Sequence, residues 1–127
     1  MRTLVRFAPA ISYISLIWYL SSGPISVNIS HCDKIVHVIE YGILGFLIAY
    51  GLDLNKSNFK KTALLAVTLS ILAGISDEFH QYFVPGRSCD AYDALADLIG
   101  SALGVASYFS ATLLLSYVNS KLVGKTN

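Results

Sequence analysis

Histidine and carboxylate side chains are concentrated in two stretches of this 127-residue chain. The first reads CDKIVHVIEYGILG from Cys32, and the second reads SDEFHQYFVPGRSCDAYDALADLIGSALG from Ser76. An imidazole beside carboxylates can exchange protons with a substrate, and the same groups can hold a metal ion. The candidate catalytic residues are His37, Glu40, Glu78 and His80. The metal and any other cofactor stay unknown, because the chain has no His-Glu-x-x-His pattern.

Other polar residues in these stretches are candidates for binding a substrate. Pro85 and Gly86 predict a tight turn, after which Arg87 offers a planar guanidinium group suited to phosphate or carboxylate. Asp90 is predicted to cap the following helix. The candidate substrate-binding residues are Asp33, Tyr41, Asp77, Gln81, Arg87, Asp93 and Asp97.

The rest of the chain is strongly apolar. Hydrophobic residues make up 54% of the sequence and charged residues only 13%, against about a quarter charged in an ordinary soluble domain. A membrane-spanning helix needs roughly 20 mainly apolar residues, and four segments approach that length: residues 4–22, 35–52, 62–83 and 91–118. The sequence therefore predicts an all-α polytopic membrane protein, a four-helix transmembrane bundle that forms a single domain over residues 1–127.

The polar residues of these segments recur at helical spacing. At about 100° per residue, one face of the second, third and fourth segments is polar near the same end. These faces are Asp33, His37, Glu40 and Leu44, flanked by Tyr41, then Ser70, Gly74, Asp77 and Gln81, and finally Asp93, Asp97, Gly100 and Gly104. Because a charge that faces lipid costs at least about 2.5 kcal/mol, we expect the three faces to enclose a polar cavity. The Gly100-x-x-x-Gly104 surface predicts close helix contact inside the bundle.

The distribution of lysine and arginine predicts the orientation. Positive residues are retained on the cytoplasmic side of short loops, and most of them flank the opposite ends of the segments: Arg2, Arg6, Lys56, Lys60, Lys61, Lys121 and Lys125. Both termini are therefore expected in the cytoplasm and the cavity at the outer face. Trp18 and Tyr19 favour a retained first helix over a cleaved signal peptide. The net charge of +1 does not indicate a nucleic-acid partner.

Three linked motifs resemble those of the VanZ-like family, named after a teicoplanin-resistance protein. They are H-x-x-E-Y-x-x-L-G in the second segment, E-x-x-Q followed by P-G-R after the third, and D-x-x-x-N-x-x-G-x-x-x-G in the fourth. The matching positions are His37, Glu40, Tyr41, Leu44, Gly45, Glu78, Gln81, Pro85, Gly86, Arg87, Asp93, Gly100 and Gly104. Asp97 stands where the family often has asparagine, and a buried aspartate must be protonated, paired or metal-bound.

The resemblance implies a multi-pass protein of the bacterial inner membrane that is associated with the cell envelope, with an influence on glycopeptide sensitivity in some relatives. Its expected partners are membrane lipids and a lipid-linked cell-wall intermediate at the outer leaflet. The resemblance does not supply a reaction, so the hypothesis of an enzyme acting on this intermediate stands beside a non-catalytic binding or scaffold protein and a small ion- or proton-coupled transporter. A fourth alternative is that the polar side chains only tie the helices together. Cys32 and Cys89 are predicted at the same side, where a disulfide is an open alternative.

Overall fold

The architecture is four α-helices in sequence, without a strand among the described residues. The computed structural model describes residues 2–23, 32–52, 58–86 and 91–123, with side chains over 5–23, 34–52, 58–86 and 91–122. The helices are α1 (Arg2–Ser21), α2 (Cys32–Leu52), α3 (Phe59–Gln81) and α4 (Ala91–Val123). Each contains the predicted apolar segment to within a few residues at its ends.

Local signals explain both ends of α3. The side chain of Asn58 accepts a hydrogen bond from the backbone N–H of Lys61 at 3.2 Å, which caps the first turn. After Gln81 the chain turns, and Gly86 adopts a φ of +86°, a left-handed conformation that glycine tolerates at little cost. The predicted turn at Pro85 and Gly86 is therefore confirmed. Arg87, Cys89 and Asp90 lie outside the described residues, and with them the predicted guanidinium anchor, the possible disulfide and the predicted cap.

Neighbouring helices in sequence run in opposite directions. Arg6 of α1 lies 4.8 Å from the ring of Tyr50 near the end of α2, and Phe59 at the start of α3 contacts Phe109 of α4 at 4.3 Å between ring centroids. The starts of α1 and α3 therefore lie toward the same end of the bundle as the C-terminal parts of α2 and α4. At the other end lie the polar side chains described below, and we call it the polar end.

The parallel pair α2 and α4 is held by backbone contact at glycines. A Cβ atom built on Gly104 would overlap the carbonyl oxygen of Gly42, and one on Gly100 would overlap that of Val38. At Gly45 a Cβ would lie 2.6 Å from the carbonyl oxygen of Ser101. The predicted close contact inside the bundle is confirmed, and Gly100 and Gly104 face the backbone of Val38 and Gly42 on α2.

The outer surface of the bundle is apolar. Three helices of the described chain are long and apolar enough to cross a membrane, namely α2, α3 and α4. Outward-facing side chains such as Leu64, Phe79 and Leu113 are 70%, 68% and 68% exposed, which water would disfavour and lipid would not. The chain is a multi-pass helical membrane bundle. Helix α1 is 20 residues long but includes Arg2 and Arg6, which lower its hydropathy.

Candidate functional site

A buried cluster of one imidazole and two carboxylates lies at the polar end. His37 Nδ1 is 2.9 Å from Asp97 Oδ1, which joins α2 to α4. Glu78 of α3 completes the cluster, since one ligand-type atom of each of the three residues lies within 4.8 Å of those of the other two. His37, Glu78 and Asp97 are 4%, 5% and 2% exposed. This is the set of residues in the described chain that could hold a metal ion.

Helix α3 makes room for Asp97 by lacking a side chain at Gly74. A Cβ atom at Gly74 would lie 2.7 Å from Asp97 Oδ2. Gly74 and Glu78 are four residues apart and so share a face of α3. The carboxylate of Asp97 therefore reaches the surface of α3 beside Glu78. Its Oδ2 atom is buried and has no hydrogen-bond partner among the described residues.

Asp77 forms a second buried network that links α1 to α3. The hydroxyl of Ser21 donates a hydrogen bond to Asp77 Oδ1 at 2.7 Å, and Nε2 of Gln81 donates one to Asp77 Oδ2 at 2.8 Å. Both carboxylate oxygens are thus satisfied inside the bundle, where an unpaired oxygen would be costly.

A cavity of about 200 Å³ lies between these two groups of residues. Its lining combines the polar residues Ser21, His37, Glu40, Asp77 and Gln81 with the apolar residues Ile17, Leu20 and Val36. His37 belongs both to the cavity wall and to the buried cluster, so the cluster is reached from the cavity through its imidazole.

Two of the predicted catalytic residues lie apart from the cluster. His80 contacts α1 instead, with Nε2 at 2.9 Å from the hydroxyl of Ser22 and its ring stacked on Trp18 at 5.0 Å between centroids. Glu40 lines the cavity but is only half-buried. His80 therefore places its imidazole against α1, whereas the imidazole of His37 lies inside the bundle.

The buried face of α2 differs in detail from the predicted one. We expected Glu40 on the centre of the face and Tyr41 beside it, whereas Tyr41 is 1% exposed and stacks parallel to His37 at 6.3 Å between ring centroids. The reason is that α2 is covered on several sides, by α1, α3 and α4. Burial therefore extends around the helix beyond a single narrow face.

Asp93 lies at the rim of the polar end. Its Oδ1 is 2.9 Å from Nζ of Lys34, and Lys34 also lies 5.5 Å from the centre of the Tyr92 ring. The side chain of Asp33 lies outside the described residues, as does Arg87. The remaining candidates, Asp77, Gln81 and Asp97, are all buried at the polar end.

The sequence analysis assigned no contact at this end of the bundle to three residues that make one: Ser21, Lys34 and Trp18. Ser21 and Trp18 belong to α1, which carries no acidic residue and so gave no sign of a polar face. Their position in the sequence could have indicated these contacts, because both lie at the end of the first apolar segment and therefore at the same depth as Asp77 and His80.

Comparisons with known proteins agree with this architecture. The sequence profile of the VanZ/LLP1 family matches residues 3–115. An uncharacterised protein of Schizosaccharomyces pombe is 27% identical over 82 residues, which cover 65% of this chain and 47% of the yeast protein. The chain thus spans about half the length of that relative. No solved structure matches. With a profile match across nearly all of the four-helix bundle, the chain belongs to the VanZ/LLP1 family.

Proposed function

We propose that this protein binds the headgroup of an anionic, lipid-linked component of the bacterial cell envelope at the outer leaflet. The headgroup would enter the cavity at the polar end while the lipid chain stays against the apolar outer surface. The observation that carries the proposal is the mixed lining of the cavity, which combines polar residues such as Asp77 and Gln81 with apolar residues such as Leu20 and Val36.

The size and lining of the cavity favour a headgroup with hydroxyl groups. Its volume of about 200 Å³ is below the roughly 300–1,000 Å³ of pockets for drug-sized ligands, so it suits part of an amphiphile. The carboxylates of Glu40 and Asp77 accept hydrogen bonds from hydroxyl groups, as found on sugars. An anionic phosphate would be repelled by these carboxylates and would instead be held at the rim.

Two basic residues are candidates for binding that phosphate. Lys34 lies at the rim on the first turns of α2, where its ammonium group is paired with Asp93. Arg87 follows the turn at Gly86 in sequence, and its fork would suit a phosphate. In the proposed orientation the lysine- and arginine-rich opposite end faces the cytoplasm, which puts the rim at the outer leaflet.

The packing of the opposite half supports binding rather than transport. Among the described residues, the core beyond the polar end is formed mainly by apolar and aromatic side chains, including Ile48, Ala66, Val105 and Phe109. A polar path for an ion would need ionisable or hydrated groups through this region. The cavity therefore behaves as a site open at one end.

A cavity-filling variant tests the proposal. Val36 is 45% exposed and lines the cavity, whereas its neighbour Ile35, which is 59% exposed, is not a lining residue. In nanodiscs, we expect Val36→Phe to lower binding of a polyprenyl-phosphate-linked sugar at least fivefold, measured by native mass spectrometry. The matched control Ile35→Phe should stay within twofold of the parent protein. Equal binding by both variants would rule out the cavity as the headgroup site.

The role of the phosphate is tested separately with uncharged lipid. We expect the corresponding polyprenol-linked sugar without phosphate to bind at least fivefold more weakly. Arg87→Gln should remove most of this difference in affinity. If the two lipids bind equally, the anionic part of the proposal is wrong.

We further propose that binding of this lipid lowers the sensitivity of the cell to a glycopeptide antibiotic. A protein that holds a lipid-linked cell-wall intermediate would change how much of it a glycopeptide can reach. Expression in a teicoplanin-sensitive bacterium should raise the inhibitory concentration, and Val36→Phe at equal protein level should abolish the increase. An increase that Val36→Phe leaves intact would separate any resistance from the cavity.

A further inference from the structure

We infer that His37, Glu78 and Asp97 form a binding site for a divalent transition-metal ion, with Zn²⁺ as the ion that these ligands fit best. The site stands apart from the proposed headgroup binding, because it rests on the buried cluster and its occupancy is measured without lipid. It would add a positive charge directly behind the cavity wall that His37 forms.

The first support is the convergence of three helices on one point. His37 comes from α2, Glu78 from α3 and Asp97 from α4, and their ligand-type atoms lie within 4.8 Å of one another. Zn–N and Zn–O bonds are about 2.0–2.2 Å long, so two ligands of one ion lie at most about twice that distance apart. Small rotations of these side chains would bring all three within bonding distance of a common centre.

The second support is the buried oxygen of Asp97. Asp97 is 2% exposed, and its Oδ2 atom accepts no hydrogen bond from any described residue. It points to α3 at Gly74, on the same face as Glu78. A desolvated carboxylate oxygen is costly without a donor or a cation. A metal ion between Asp97 and Glu78 would remove that cost.

The charge of the cluster also favours a bound cation. Among the described residues of the cluster, two carboxylates face one imidazole, so even a protonated His37 would leave one negative charge in excess. Lys34, the lysine described at this end, is paired with Asp93 at the rim, and its side chain is 41% exposed. With a neutral His37, a divalent cation bound to the cluster would neutralise the two carboxylates, whereas a further hydrogen bond would not.

The ligand set selects the class of metal. Imidazole suits Zn²⁺ and other transition metals, while Mg²⁺ and Ca²⁺ prefer sites made only of oxygen ligands. Three protein ligands leave a fourth tetrahedral position open. In this bundle the open position would face water or an oxygen of a bound headgroup in the neighbouring cavity.

The test is the Zn²⁺ affinity of untagged protein in detergent micelles, measured by competition with a chromophoric chelator. We expect one Zn²⁺ per chain, and at least tenfold weaker binding by Asp97→Asn and by Glu78→Gln. Asp93→Asn is the matched control, since it makes the same change one helical turn away on α4 and should stay within twofold. His80→Gln should also leave the affinity unchanged.

Folding of each variant is checked by its helicity and unfolding midpoint without metal. Asp97→Asn decides the result even if Glu78→Gln does not fold, because an asparagine at 97 keeps a hydrogen-bonding partner for His37. The inference is overturned if the parent protein retains no Zn²⁺, if Asp97→Asn keeps the parent affinity, or if Asp93→Asn loses as much as Asp97→Asn. Failure of lipid binding with Zn²⁺ affinity intact would leave the metal site standing and reject only the headgroup role.

Discussion

Asp77 and Asp97 are buried aspartates of the polar end that differ in how their oxygens are satisfied. Asp77 accepts hydrogen bonds on both oxygens, from Ser21 and Gln81. Asp97 meets His37 on one oxygen, whereas the other has no hydrogen-bond partner among the residues described. The complete network of Asp77 is what stability requires, and the incomplete one of Asp97 is an observation on which the proposed metal site rests.

At the level of single residues, truncating Asp77 should be far more costly than making it neutral. Asp77→Ala leaves the buried amide of Gln81 without its acceptor, which costs about 1–3 kcal/mol, and leaves the Ser21 hydroxyl only the carbonyl oxygen of Trp18 at 3.1 Å. Asp77→Asn keeps both bonds if the Gln81 amide flips, and we expect it to lose less than about 1 kcal/mol. Unfolding by detergent titration gives both free energies, and equal losses would contradict this account of the network.

Gly74 and Asp97 should be energetically coupled. Gly74→Ala forces a methyl group against the Asp97 carboxylate and should destabilise the protein by about 1–3 kcal/mol. In an Asp97→Ala background the space is free, so the same change should cost much less. A double-mutant cycle on the free energy of unfolding measures this coupling, for which we expect about 0.5–3 kcal/mol. Independent, additive effects would show that Gly74 does not make room for the carboxylate.

At the level of helices, the α2–α4 contact determines how the cluster is assembled. Glycines at 42, 45, 100 and 104 allow the two backbones to approach directly. This approach brings His37 and Asp97, which lie on either side of the interface, to 2.9 Å. Close packing of small residues is therefore part of building the polar site as well as of helix association.

We expect Gly104→Ala to weaken the bundle, because its methyl group would overlap the Gly42 carbonyl. Separating two packed backbones should cost about 1–3 kcal/mol. Ala106→Leu, an exposed position on the same helix, is the control and should change the free energy of unfolding by less than about 0.5 kcal/mol. A tolerated Gly104→Ala would mean that the two helices are farther apart than the structure indicates.

For the whole molecule, the proposed function depends on which side of the membrane the polar end faces. The helices alternate in direction, so the exposed residues Tyr82 and Ser120 lie at opposite ends of the bundle. The excess of lysine and arginine at the Ser120 end predicts that it is cytoplasmic.

Single-cysteine labelling checks this orientation. In a background with Cys32→Ser and Cys89→Ser, a membrane-impermeant maleimide applied to intact cells should label Tyr82→Cys and spare Ser120→Cys. Permeabilised cells, in which both should react, control for reactivity. The reverse pattern would place the cavity on the cytoplasmic side of the membrane and contradict binding of a headgroup at the outer leaflet.

Much of the fold could be read from local sequence. Apolar length predicts the helices, periodicity predicts that Asp77, Gln81 and Asp97 face inward, and the Gly100-x-x-x-Gly104 spacing predicts a close contact. These properties depend on residues within a few turns of one another, where helix geometry is constant. The four helices and their polar end were therefore predictable from the chain alone.

Only the tertiary structure decided which polar groups meet. The rotation of α2 buries Tyr41 more fully than Glu40, and the position of α1 draws His80 to Trp18 and away from the cluster. The choice of Asp97 as the carboxylate that meets His37 was equally invisible in the sequence. The physical reason is that helical periodicity specifies the face of a helix but not its neighbours. Neighbours follow from packing of all four helices together, with glycine contacts fixing the distance and side-chain volume fixing the rotation.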